Sequence, residues 1–243
     1  MSPLRVIVDL SHNEKLEDFP EFSLGEDDYD VDYIDKTDTF DDFDLEDYDL
    51  LFIGNISHSK KNKSSFFRPD ELKQIKRFVG EGGGLLLTSG AGGDQDIPMK
   101  QGSIRVLYKV TGVRRFWNGT ILELGTNFLV KKKNVLITEL FSHPITKGIT
   151  ELVFPNCTFF NLAEEEVEDI IVTSEKAEFQ YHNDDDIDEV GPVPICVVSE
   201  FFNGRCVTIG SSDWLIEDND YGLDAGDNLK FLENIIKWLS FEI

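Results

Sequence analysis

Basic residues are scarce in this chain of 243 residues: 23 lysines and arginines stand against 47 acids, a formal net charge of −24 at pH 7. So negative a surface excludes binding to nucleic acid or to anionic lipid by general electrostatics. Cysteine is scarcer still. Cys157, Cys196 and Cys206 are odd in number and show no CxxC spacing, which leaves free buried thiols in a reducing cytosol as the expectation. Long apolar runs are missing too. No stretch approaches the ~18 residues a membrane span needs, and the run after Arg5 is broken by Asp9, too short for a secretory signal. No membrane insertion and a cytoplasmic location follow as expectations, and the sequons at Asn55, Asn62, Asn118 and Asn156 are then chance matches. What the chain does have is 40% apolar and 12% aromatic residues, enough to fill a core and to exclude disorder.

The charge is concentrated. Residues 26–49 hold thirteen acids and one base, Lys36; residues 164–189 hold twelve acids and one base, Lys176; the remainder is close to neutral. If both windows fall on one side of the fold, they form a single negative face suited to a basic protein partner, with binding that weakens as salt rises. Lys60, Lys61, Lys63 and Arg68 form a basic loop away from these windows along the chain, and Lys131–Lys133 a second patch.

The first half reads as alternating strands and helix. Leu4–Asp9, Asp49–Gly54 and Gly84–Ser89 are short apolar runs of buried-strand type, and residues 30–35 alternate acid and apolar as a half-exposed edge strand does. Residues 70–79 form an amphipathic helix with Leu72, Ile75, Phe78 and Val79 on one face, Pro69 at its start and Gly80 after its end. This is the rhythm of a mostly parallel, doubly wound, flavodoxin-like α/β sheet. The second half adds strands at 135–140 and 170–173 and a hairpin, 194–200 and 205–210, turning at Asn203-Gly204. A closing helix spans Asn228–Leu239, with Leu229, Leu232, Ile235, Ile236 and Leu239 as its stripe and Trp238 alongside. With no repeat or linker, residues 1–243 read as one domain.

Five segments in order carry a family resemblance: Val6–Glu14 (Val-Ile-Val-Asp-Leu-Ser-His-Asn-Glu), Gly82–Leu87, His143–Ile149, Gly204–Gly210, and Gly226-Asp227-Asn228 before Trp238-Leu239. Together they resemble the class I glutamine amidotransferase-like superfamily. More narrowly they resemble its non-enzymatic branch, the GIFT-type domain of gliding-motility transport proteins and of an intraflagellar transport subunit. His-Pro-Ile-Thr-Lys-Gly is also similar to trehalose-utilisation-type proteins.

The resemblance implies an amidotransferase-like α/β domain, whose enzymes carry a nucleophilic cysteine on a strand-to-helix elbow with a downstream histidine. Here the corresponding strand ends Thr88-Ser89-Gly90-Ala91, without cysteine, and none of His12, His58, His143 and His182 stands in a His-x-Glu context. A serine nucleophile would need Ser89 within reach of a histidine base.

Topology points to a second kind of site. Ligands of open parallel sheets bind beyond the C-terminal strand ends, where His12 and Asn13, Asn55, Ser57 and His58, Ser89 and Gly90, and Asp213 and Trp214 fall. Amides, imidazoles, a carboxylate and an indole suit a small polar ligand such as a sugar; the same residues serve equally as loop caps. A pocket lined by them predicts that His12→Ala and Asp213→Ala lose a ligand while keeping nearly the parent Tm.

Gly90-Ala91-Gly92-Gly93 lacks the Gly-Lys-Ser/Thr ending of a phosphate loop and runs into Asp94 and Asp96, so no nucleotide and no other cofactor is expected. Asp28/Asp30/Asp32 and Asp218-Asn219-Asp220 with Asp224 have partial calcium-loop spacing but lack the required glycine or closing glutamate, so no ordered metal site is expected there. The leading expectation is a non-catalytic binding or scaffolding domain for a protein partner and a small polar ligand. A hydrolase using Ser89 with a pocket histidine, and a divalent-cation-responsive module built on the acidic loops, are the alternatives.

Overall fold

The computed structural model describes residues 3–14, 19–54, 56, 66–91, 103–162, 167–182 and 186–243. Among them the first half forms β1 (Leu4–Asp9), a one-turn helix α1 (Glu21–Leu24), β2 (Tyr29–Ile34), β3 (Leu50–Gly54), α2 (Pro69–Glu81) and β4 (Gly84–Thr88). Then come α3 (Ser103–Thr111), β5 (Val113–Phe116), β6 (Gly119–Leu122), β7 (Asn134–Ile137), β8 (Leu152–Pro155) and β9 (Phe160–Leu162). The chain ends with β10 (Val167–Val172), β11 (Glu178–Tyr181), β12 (Ile187–Glu189), β13 (Pro194–Phe201), β14 (Gly204–Ile209) and α4 (Asn228–Leu239).

A seven-stranded sheet of order β10-β13-β14-β4-β3-β1-β2 joins both halves of the chain. The run from β14 through β4, β3 and β1 to β2 is parallel, and β13 is antiparallel to both its neighbours. This is the mostly parallel, flavodoxin-like α/β sheet expected from the sequence, and chain order reverses between β1 and β3. Period-two alternation sorts its side chains onto two faces. Ile7, Leu51, Ile53, Leu85 and Leu87 pack with Ile75, Phe78 and Val79 of α2. Val6, Val8, Leu50, Phe52 and Leu86 pack on the opposite side with Phe231, Leu232, Ile235 and Leu239 of α4.

Two expectations change. The acidic windows supply opposite edges of the seven-stranded sheet: residues 164–189 hold β11 and β12 of a separate sheet as well as β10, which with β2 of residues 26–49 forms the two edge strands. Six strand spacings of ~4.8 Å put roughly 29 Å between them. The hairpin also turns one residue earlier than expected. Phe201 pairs with Gly204, leaving Phe202-Asn203 as the loop, with Phe202 in the left-handed region at φ 54°. Gly204 is required for close packing instead: a Cβ there would lie 1.9 Å from the Val79 carbonyl oxygen of α2. No helix among the described residues is long and apolar enough to cross a membrane.

Candidate functional site: a buried histidine–carboxylate cluster at the sheet switch point

β1 carries apolar residues to the C-terminal edge of the sheet and ends in Asp9, which is fully buried. The chain then turns. Leu10 N–H donates to the Ile34 carbonyl (3.0 Å), Asn13 takes a left-handed φ of 64°, a conformation asparagine tolerates, and Glu14 forms an antiparallel bridge with Ile56 beyond β3. This turn folds His12 back over the α2 face, between Phe67 (ring centroids 4.1 Å apart) and Phe40 (5.8 Å).

His12 is 3% exposed and both ring nitrogens meet carboxylates: Nδ1 lies 2.7 Å from Asp9 Oδ2 and Nε2 lies 3.2 Å from Glu71 Oε2. Glu71 is at the third position of α2, where its carboxylate also accepts from the Arg68 backbone N–H and from Arg68 Nε (2.7 Å). Ser11 donates to Asp9 Oδ1 from its backbone (3.0 Å) and its hydroxyl (2.7 Å), and the His12 N–H donates to Glu14 Oε2 (3.0 Å). Glu14 Oε1 is buried and accepts no hydrogen bond among the described residues. The carboxylates of Asp9 and Glu14 and one His12 nitrogen lie within 4.8 Å of one another, a grouping that could hold a metal ion.

Protonation follows from these partners. Burial alone would lower the His12 pKa, but hydrogen bonds and charge from Asp9 and Glu71 outweigh it and hold the imidazole up at about 9. Burial, then the Asp9 charge, pushes Glu14 up to about 9. Glu71 moves the other way: burial would raise it, and the bonds from His12 and Arg68 bring it down to about 2. The raised imidazole of His12 and the guanidinium of Arg68 face the Asp9 and Glu71 carboxylates. Buried charge is tolerable only when paired in this way.

The other residues expected at the edge do not join this cluster. Asn13 is half-buried in the turn. Asn55, Ser57 and His58 lie outside the described residues. Ser89 and Gly90 are buried after β4, where the Ser89 N–H donates to the Ile209 carbonyl (2.9 Å). No hydrogen bond links Ser89 to an imidazole among the described residues. His143 caps the turn Pro144–Thr146 and meets Trp238 edge-on at 5.2 Å, and His182 lies beyond β11. Asp213 accepts from Asn156 Nδ2. Trp214 is fully buried against Phe154 and Phe231 on the α4 side of the sheet, so it belongs to the core and offers no face to a ligand. His12 and Trp214 thus fall on opposite faces. Beside the cluster, Leu10, Glu14, Asp35, Lys36 and Thr37 line a cleft of about 360 Å³.

Asp9, Glu14 and Glu71 were not singled out as site residues by sequence reasoning. A signal existed. Glu71 sits on the inward stripe of α2 with Ile75, Phe78 and Val79, where Leu72 was expected and is only partly buried. A carboxylate at a core-facing position implies a buried partner.

No family model matches the chain, and no curated protein does. Solved structures share its fold. The N-terminal domain of mmIFT52 superposes with a TM-score of 0.71 at 14% identity over 97% of both chains. A cytoplasmic protein of Salmonella typhimurium gives 0.55 at 16% identity over 97% of this chain and 98% of its own. A ThuA-like protein of Parabacteroides merdae gives 0.56 at 11% identity over 99% and 91%. The chain therefore has the amidotransferase-like fold common to GIFT-type and ThuA-like domains, as its motifs led one to expect.

Proposed function

We propose that the chain is a non-catalytic binding or scaffolding domain of the cytosol. It recognises a protein partner, and it takes a small polar, sugar-like ligand at the C-terminal edge of the sheet. One observation carries this reading: His12, the described histidine nearest the switch point, commits both ring nitrogens to buried carboxylates, so it is not available as a base for Ser89. Three supports stand beside it. The elbow after β4 offers serine where the enzymes of this fold carry cysteine, the cleft beside Glu14 opens where parallel sheets bind ligands, and the three cysteines are buried free thiols.

The test pairs an activity probe with a binding screen. A fluorophosphonate should leave the native protein unlabelled. A saccharide panel followed by backbone NMR should shift amides of residues 10–14 and 35–37 without turnover of any sugar. Labelling that vanishes in Ser89→Ala would replace this reading with a hydrolase. Absence of any saccharide-induced shift would remove the sugar ligand and leave the protein partner.

A further inference from the structure

We propose that Asp9, His12 and Glu14 form a binding site for one divalent first-row transition-metal ion, with Glu71 as the positioning residue behind His12. The argument is geometric and does not depend on the binding-domain reading. The three donor groups are buried and lie within 4.8 Å of one another, and Glu14 Oε1, in a residue only 6% exposed, has no hydrogen-bond partner among the described residues.

Each donor is also held from behind. The Ser11 backbone and hydroxyl fix Asp9 through Oδ1, leaving Oδ2 toward His12. The His12 N–H fixes Glu14 through Oε2, leaving Oε1 unpartnered. Glu71, itself anchored by Arg68, accepts from His12 Nε2 and leaves Nδ1 on the side of Asp9. A carboxylate behind a histidine is the usual support of a metal-bound imidazole, since it sets the tautomer and the ring orientation.

One imidazole and two carboxylates suit zinc or manganese. Calcium and magnesium prefer oxygen donors, and calcium more of them than three residues supply. Two donors of a tetrahedral zinc stand about 3.3 Å apart, so the 2.7 Å between Asp9 Oδ2 and His12 Nδ1 must widen by about 0.6 Å, within reach of a small ring rotation. Glu14 also lines the cleft beside Leu10 and Thr37, which supplies an approach for the ion. The acidic runs with partial cation-loop spacing in the sequence bring together no comparable group among the described residues.

The test uses the full chain, free of any histidine tag and stripped with a chelator. Calorimetric titration with zinc chloride should give one ion per chain, and X-ray absorption of the zinc-loaded protein should show one imidazole nitrogen among light oxygen donors. Glu14→Gln should weaken binding at least 100-fold, and Glu71→Gln about 10-fold or more, the latter with ligand atoms intact. Binding that is substoichiometric, or whose absorption spectrum contains no imidazole, overturns the site and leaves an ion-pair network. So does unchanged affinity in a folded Glu14→Gln variant. If that variant fails to fold, the absorption spectrum of the parent protein decides alone.

Discussion

At the scale of single residues, His12 and Asp213 separate two roles that look alike in the sequence. Both follow strand ends, and a ligand pocket lined by them would leave both dispensable for stability. Removing the His12 imidazole leaves Asp9 and Glu71 buried without their shared partner, which costs about 3–5 kcal/mol. His12→Ala should therefore lower Tm by about 6–20 °C in a chain of this size, read by circular dichroism. Asp213→Ala gives up the hydrogen bond from Asn156 and a long one from Ser212 (3.4 Å) at a half-buried position, together about 1 kcal/mol, and should shift Tm by only about 2–4 °C. Equal losses would contradict the assignment of His12 to a buried ion network. The three cysteines make a second residue-scale case. All are fully buried; burial pushes the Cys206 thiol up to about 12 and the Cys157 and Cys196 thiols beyond that. Native protein at pH 7.5 should resist a thiol reagent that labels all three after denaturation, and rapid native labelling would show that the packing around them opens. The sequence makes the identity of such residues plain but not their partners. His12 was visible as a polar residue after β1, whereas Glu71 reaches it from 59 positions away, a contact that no local pattern encodes.

At the scale of elements, most of the sheet was legible because its strands obey local rules. The bounds of β1 and α4 coincide with those expected from the sequence, and β3, β4 and α2 fall within two residues of expectation. β5, β6, β8, β9, β11 and β12 were missed. They are three or four residues long and pair in small sheets whose order, such as β12-β11-β6, depends on distant partners. The hairpin shows the same limit, since its Asn-Gly pair suggested a turn, and the glycine is set instead by α2. Gly204→Ala would drive a methyl group into the Val79 carbonyl, costing about 1–3 kcal/mol or more. Chemical denaturation should show that loss, while the same change at Gly125, where nothing lies within 4 Å of the added atom but φ is +67°, should cost only about 1 kcal/mol. A further link joins β8 to α4. Asp227 accepts from Thr150 N–H, Thr150 Oγ1 and Glu151 N–H, and these bonds lower its pKa. Because the folded value is depressed, this contribution is present above the ordinary carboxylate range and is lost as pH falls through the folded value. Asp227→Asn should give a shallower fall of Tm between pH 5 and pH 3 than the parent, and parallel curves would show that these bonds do not couple to acid unfolding.

At the scale of the whole molecule, the placement of charge decides how salt acts. A single acidic face would gather nearly the whole net charge into one field. The structure instead puts one strand of each acidic window, β2 and β10, at opposite edges of the seven-stranded sheet, with β11 and β12 of the second window in a separate sheet. The roughly 29 Å between these edges compares with a Debye length of about 30 Å at 0.01 M salt and about 10 Å at 0.1 M. Repulsion between the edges is therefore felt only at low ionic strength, while repulsion within each edge persists further. Tm should rise as sodium chloride goes from 10 to 100 mM and then flatten. Asp30→Asn on β2 and Glu168→Gln on β10, both exposed, should each raise Tm slightly. Their effects should add to within about 0.5 kcal/mol at 100 mM salt. At 10 mM they should fall short of additivity, since each relieves part of the same long-range repulsion. Strong coupling at 100 mM would mean that the two edges share one field, in which case a single basic partner could span both. Additivity would mean that the two edges act as separate fields.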